Sequence, residues 1–255
     1  FLANVYKDSF VSATKDMIDL PDKIINGTVA AQLAAALLAV SCVTVTFCVN
    51  LTMVQDRASG ARKDFDVSPV SKTKIYIGYF LSTVLNSLMV NGTALALCLL
   101  YILKMGWYMS ASDVIFVILD MILLVLFGST LSSIVSYPLK TQGQLSAVGT
   151  IVSAGYGFVC GAYMPISNFS SGLQKALSYL PGTYGTSLVM LNGVYKEMAD
   201  TGLPSEAVTV IRNTLDCNPV FRGHVVGVSQ MYLIMAGSIV VFGAAYLLII
   251  MIRER

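Results

Sequence analysis

Residues 114–136 read VIFVILDMILLVLFGSTLSSIVS, a run with one charge, Asp120, and no proline. A helix needs about 20 consecutive apolar residues to cross the hydrocarbon core of a bilayer. The run is continuous, whereas the strands of a closed membrane barrel alternate apolar and polar positions. It ends just before Tyr137-Pro138, where a helix is expected to stop. Working outward, four more runs of the same kind lie at about 29–53, 75–103, 145–166 and 225–252, the last halting at Arg253-Glu254-Arg255. Of the 255 residues, 56% are hydrophobic and 12% charged, and the mean hydropathy is +0.74. Soluble domains carry about 25% charged residues. A soluble globular enzyme would lack the polar surface to cover its core, and a disordered chain would be far less hydrophobic. The fold class expected is all-α: a polytopic helical membrane protein forming one transmembrane domain over 1–255.

The second run, 75–103, would be about 43 Å long as a helix, against a core of about 30 Å. It is expected to tilt, protrude or break, with Asn91-Gly92 as the weak point. Loop charge sets the orientation. The loops at about 53–74, 137–144 and 252–255 hold as many Lys and Arg as those at about 1–28, 104–113 and 167–224. They do so in roughly one third of the length, and the second set is richer in acids, so the first set is expected inside. Five spans then place the first residue outside and the C-terminus inside.

The long outer segment has its own pattern. Ser170-Ser171 starts a short helix carrying Leu173, Ala176, Leu177 and Leu180, and Pro181-Gly182 breaks it. A second apolar piece follows over about 183–194. Neither piece spans, so the two are expected to form a re-entrant or interfacial hairpin buried against protein at the outer side. Beyond it, Pro204-Ser205-Glu206 reads as a further helix start.

The inner loop between the first two runs reads Gln55-Asp56-Arg57-Ala58-Ser59-Gly60-Ala61-Arg62-Lys63-Asp64-Phe65-Asp66-Val67-Ser68-Pro69-Val70-Ser71-Lys72. Physically it suits either a solvated charged loop or a short helix along the membrane face, with Phe65 seated in a partner's groove and the charges setting register. This stretch resembles the inner loop of type-2 ABC exporter permeases. That family shows an acidic-basic pair, a Gly, a short helix, Pro-Val-Ser with a basic residue, and a Gly early in the next span. Asp56-Arg57, Gly60, Ser68-Pro69-Val70-Ser71-Lys72 and Gly78 occupy those places. A second match follows the fourth run: Gly161-Ala162-Tyr163-Met164-Pro165, then 173–180, then Pro181-Gly182-Thr183-Tyr184. Ala61 replaces the family's Thr, Arg62 and Asp66 replace leucines, and Leu180 replaces an Asn. These departures imply a contact with one aromatic knob, Phe65, and more charge.

The resemblance implies six spans per subunit, the first preceding Phe1, and a second permease subunit, identical or paralogous, alongside. It also implies a separate nucleotide-binding ATPase subunit that holds ATP and Mg; this chain itself carries no cofactor. Export would run outward across a bacterial plasma membrane. Asp56, Arg57, Gly60, Lys63 and Phe65 are then the expected coupling residues, and Pro181, Gly182, Thr183 and Tyr184 the outer gate. No G-x-x-x-x-G-K-[ST] motif occurs, so ATP hydrolysis is not expected on this chain.

Three further features are candidates. Ser153, Gly157 and Gly161 recur every four residues and suit close helix packing. Asp120 is the one acid deep in a span; it reads either as a pathway or proton-linked group or as a hydrogen-bonded packing group, with Asn86 and Asn91 as weaker pathway candidates. An ion-coupled transporter or channel acting through Asp120 is therefore the alternative, although no inverted repeat accompanies it. An intramembrane enzyme is the weakest reading, since the single histidine, His224, sits at a span edge without a nucleophile partner. The lone histidine leaves little for a metal site, and a net charge of +2 gives no footprint for nucleic acid, so the expected surroundings are membrane lipid and protein.

Overall fold

The computed structural model describes residues 22–105, 107, 109–164, 166–195, 219–221 and 224–253. Helix α1 covers Asp22–Ser59, the short α2 Arg62–Asp66, α3 Lys72–Met105, α4 Ala111–Ser136 and α5 Gln142–Val159. A 3-10 turn at Ile166–Asn168 leads into α6, Ser171–Leu177, and α7, Pro181–Met190, which continues as a π turn at Leu191–Tyr195. A two-residue antiparallel pairing of β1, Val220–Phe221, with β2, His224–Val225, precedes α8, Val228–Arg253. The helix start expected at Pro204-Ser205-Glu206 lies outside the described residues.

Among the described residues, four helices are long and apolar enough to cross a membrane: Asn26–Ser59, Lys72–Met105, Ala111–Ser136 and Val228–Ile252. Side-chain placement argues the same way. Helix α3 turns Leu85 and Met89 outward, 55% and 72% exposed, and buries Ser87 and Asn91 completely. Large apolar groups outside and hydroxyls and amides inside would be unstable in water but suit lipid. The chain is thus an all-α, multi-pass membrane protein.

Two boundaries differ from expectation. Helix α5 starts at Gln142, ends at Val159 and has 18 residues, which makes it about 27 Å long and not one of the four. It stops because Gly161 takes a left-handed backbone (φ 78°) that costs other residues strain. The amide of Gly161 donates to the Phe158 carbonyl and that of Tyr163 to the Gly157 carbonyl, closing the helix end. The expected extension to Ile166 is instead a turn. In the second case, α3 runs unbroken through Asn91-Gly92 for 34 residues, about 51 Å. The Asn91 amide donates back to the Ser87 carbonyl at 2.9 Å, so it caps its own helix and does not break it.

Helix α1 is the hub, packing on α3, α4, α5 and α7, while α8 packs on α4 and α7. Buried alanines at 30, 31, 34, 35, 36 and 39 let its neighbours approach. At one end of the bundle Met53, Tyr76, Tyr137, Tyr246 and Ile250 form a cluster. This elbow end gathers the α1–α2–α3 link, the α4–α5 turn and the close of α8. The α6–α7 hairpin packs at the opposite, hairpin end.

Candidate functional site

The elbow is built on a change of direction at Gly60. Its φ of 87° ends α1, and Lys63 and Asp64 then donate backbone hydrogen bonds to the carbonyls of Gly60 and Ala61 to start α2. The short helix expected in this inner loop is α2, beginning only at Arg62, because Gln55 to Ser59 still belong to α1.

Below the bend the side chains interlock. The Arg57 guanidinium donates to the carbonyls of Tyr137 and Leu139 and, at 3.0 Å, to the Tyr76 hydroxyl. It also sits 5.4 and 5.3 Å from the ring centres of Tyr76 and Tyr137. Arg62, the first residue of α2, is buried, and its guanidinium lies over the Tyr76 ring at 4.5 Å from the ring centre. Two cations thus share one aromatic ring, a geometry worth about 0.5–2 kcal/mol per contact. The Tyr79 hydroxyl donates to Asp56 Oδ2 at 2.6 Å, tying the acid of the Asp56-Arg57 pair to α3. The carbonyls at the C-terminus of α4, where the dipole is negative, are where a guanidinium is most favourable. The network joins α1, α2, α3 and the end of α4.

The outer face of the same elbow is the reverse. Lys63 and Asp64 are exposed, Phe65 is 45% exposed, and Val67 is 87% exposed. Unlike the apolar residues on the spans, these sit beyond the helix ends among charges, so lipid tails do not account for them.

At the hairpin end, Leu180 ends the link from α6 and Pro181 takes the first position of α7, where a missing amide hydrogen costs nothing. The Thr183 hydroxyl donates to the Leu177 carbonyl at 3.1 Å and the Tyr184 hydroxyl to the Ser178 carbonyl, so the hairpin closes on itself. Residues 182–190 are all buried. Gly185 is needed for that fit: a Cβ there would stand 2.6 Å from Leu124 Cδ2 and 2.9 Å from Met235 Cε. The π turn then swings Asn192 inward, where its amide donates to Asp120 Oδ2 at 2.7 Å, and the Tyr232 hydroxyl donates to Asp120 Oδ1 at 2.7 Å. Asp120 is 1% exposed with both carboxyl oxygens bonded, one to the hairpin and one to α8.

Comparison with protein families matches residues 10–252 to a family described as ABC-2 family transporter protein. The chain belongs to the ABC-2 transporter family. No curated protein and no solved structure matches it.

In this ABC-2 chain the sequence-predicted coupling residues divide in two. Asp56, Arg57 and Gly60 shape the elbow from within, whereas Lys63 and Phe65 face outward. Of the predicted gate residues, Pro181 is half-buried and Gly182, Thr183 and Tyr184 are buried, all in the closed hairpin. The predicted packing stripe is not one helix face: Ser153 is exposed and Gly161 lies past the end of α5. Gly157 is buried, but what covers it is the ring of Tyr163 from the following turn, whose Cε2 would be 2.2 Å from a Cβ. Nor do the three pathway candidates meet. Asn86 is exposed and donates to Ser82 in its own helix, Asn91 is buried in the same helix, and Asp120 is held at the hairpin end. Sequence reasoning did not find Tyr76, Tyr79, Tyr137, Asn192 or Tyr232. Two signals pointed toward the elbow tyrosines: a charged Arg62 at a position the resemblance gives to leucine, and tyrosines at span ends, where amphipathic rings collect.

Proposed function

We propose that this chain is the membrane permease subunit of an ATP-driven exporter and that its elbow receives the stroke of a separate nucleotide-binding ATPase. The elbow end then faces the cytoplasm, in line with its dense positive charge, in a bacterial plasma membrane. ATP and Mg belong to the partner, and a second permease subunit stands alongside. The cargo, of an amphipathic, drug-, lipid- or peptide-like kind, moves outward.

One observation carries this reading. The elbow presents an apolar knob, Phe65 and Val67, ringed by Lys63 and Asp64, while its inner side is locked to three spans through Arg57, Arg62 and Tyr76. A knob that docks, on a base that cannot slip, is what transmission of force from a soluble motor needs. The alternative, ion coupling through Asp120, has less support because both oxygens already accept hydrogen bonds. The test is co-purification with an ATPase subunit in wild-type and Phe65→Asp forms. The substitution is expected to abolish association and stimulated ATP hydrolysis. Unchanged assembly and stimulation would refute the docking role.

A further inference from the structure

At the hairpin end a cavity of about 580 Å³ opens beside the first turns of α8. Three parts of the chain wall it: Tyr179 and Tyr184 of the hairpin, Phe221 of β1, and Gln230, Leu233 and Ile234 of α8. Small-molecule sites occupy about 300–1,000 Å³, so the volume is that of a binding site. The walls are fixed by contacts of their own. Tyr179 and Phe221 meet edge to face, with ring centres 5.1 Å apart and planes at 80°, which sets the β pair against the hairpin. The Tyr184 hydroxyl donates to the Ser178 carbonyl, so Tyr184 presents its ring.

The lining has a direction. Gln230 lies in the first turn of α8, and Leu233 and Ile234 follow one turn further into the span. Gln230 Oε1 accepts from the Gly227 amide at 3.0 Å, so what this side chain offers a ligand is an amide N–H. Among the described residues, no charged side chain lines the cavity. Leu233 is 72% exposed, and α8 is membrane-spanning from Val228, so the open side faces lipid. Leu233 is five residues into the span, about 7.5 Å along the helix, near the boundary of headgroups and tails. A ligand that fits therefore has an uncharged tail and, at its upper end, a hydrogen-bond acceptor. A phospholipid has both, in its acyl chain and the ester carbonyl that heads it, and the membrane holds it at this depth in high concentration. A peptide or an ion would find neither a charge nor a polar wall.

We infer that this cavity holds one acyl chain of a membrane phospholipid, its ester carbonyl accepting from Gln230 Nε2 and its tail lying against Leu233, Ile234 and the three rings. The lipid then bridges the hairpin, the β pair and α8. The site requires only that α8 spans the membrane; that its leaflet is the outer one rests on the proposed function. Failure of docking at Phe65 would leave the site standing.

The experiment titrates the purified full chain, in detergent, with a phosphatidylethanolamine carrying a diazirine in the upper half of one acyl chain, and locates the cross-links by peptide mass spectrometry. Leu100, 61% exposed and five residues inside the hairpin end of α3, is the control at matching depth. Labelling of residues 179–184 and 230–234 is expected to saturate at one lipid per chain, while labelling around Leu100 rises in proportion to the lipid added. Ile234→Trp, which puts an indole into the cavity, is expected to abolish the saturable labelling and leave that at Leu100 unchanged. Leu233→Trp, at the more open position, is measured alongside, so that a folding failure of the first variant does not end the test. Gln230→Leu is expected to weaken binding about fivefold, as one hydrogen bond is lost. Cavity labelling that climbs in step with Leu100 means surrounding lipid only and overturns the site. So does saturable labelling that neither tryptophan variant alters. An unlabelled cavity overturns it as well, and if the chain is then dimeric, a second copy is the occupant.

Discussion

Arg57 combines three contacts that only a guanidinium makes together: a fork to two carbonyls, a bond to a hydroxyl, and an approach to two neighbouring rings at once. Lysine carries the charge but is a point donor. Arg57→Lys is expected to lower stability by about 1–3 kcal/mol, and Tyr76→Phe, which keeps the ring and drops the hydroxyl, by about 1 kcal/mol. Thermal unfolding of the purified chain measures both, and the double variant should be less than additive. A lysine form as stable as wild type would mean that charge alone holds the elbow. The Asp56-Arg57 pair was legible in the sequence because adjacent opposite charges stand out in an apolar chain. Its partners were not, since Tyr76 is 19 and Tyr137 80 residues away and only helix packing brings them in. Asp120 was legible as an anomaly for the same reason, but its use was not. As a clamp it predicts that Asp120→Asn, which replaces an acceptor with a donor facing a donor, costs about 1–3 kcal/mol and speeds hydrogen exchange in residues 181–190, while ATP-driven transport persists. Transport abolished in a folded Asp120→Asn form would favour ion coupling instead.

Among the elements, apolar run length gave the existence and order of the helices, and turn chemistry gave the hairpin, since Pro181 and the serines before α6 act locally. Helix ends that depend on a side chain folding back were not legible. The close of α5 is the example: Gly157 looked like one of a stripe of small residues, yet its role is to leave room for Tyr163, six positions on. Two glycines of this helix should therefore respond oppositely to the same change. Nothing lies within 4 Å of a Cβ on Gly149, so Gly149→Ala is expected to stabilise by about 0.5–1 kcal/mol through helix propensity. Gly157→Ala must displace a ring and is expected to destabilise by about 1–3 kcal/mol. In a Tyr163→Ala background the penalty should vanish. Equal effects at the two positions, read as unfolding midpoints, would show that Tyr163 does not rest on Gly157.

Across the whole molecule, strong side-chain links sit at the two ends and weak ones in the middle. The elbow end is tied by Arg57 and Arg62, the hairpin end by Asp120, and between them the hydroxyls of α1, α3 and α4 mostly bond to their own helices. Under the proposed function such a bundle would move as levers between its clamped ends, with force entering at the elbow. Docking and transmission then reside in different residues and should separate experimentally. Phe65 faces outward and belongs to docking; Arg62, buried against the Tyr76 ring, joins α2 to α3 and belongs to transmission. Arg62→Ala is accordingly expected to keep the ATPase subunit bound and hydrolysing while cargo moved per ATP falls, because the elbow helix swings without dragging α3. Phe65→Asp is expected to lose binding outright. Measuring association, hydrolysis and transport on the same preparations distinguishes the two. If Arg62→Ala reduces binding and leaves the transport-to-hydrolysis ratio unchanged, the stack on Tyr76 shapes the docking surface and force reaches the spans by another route.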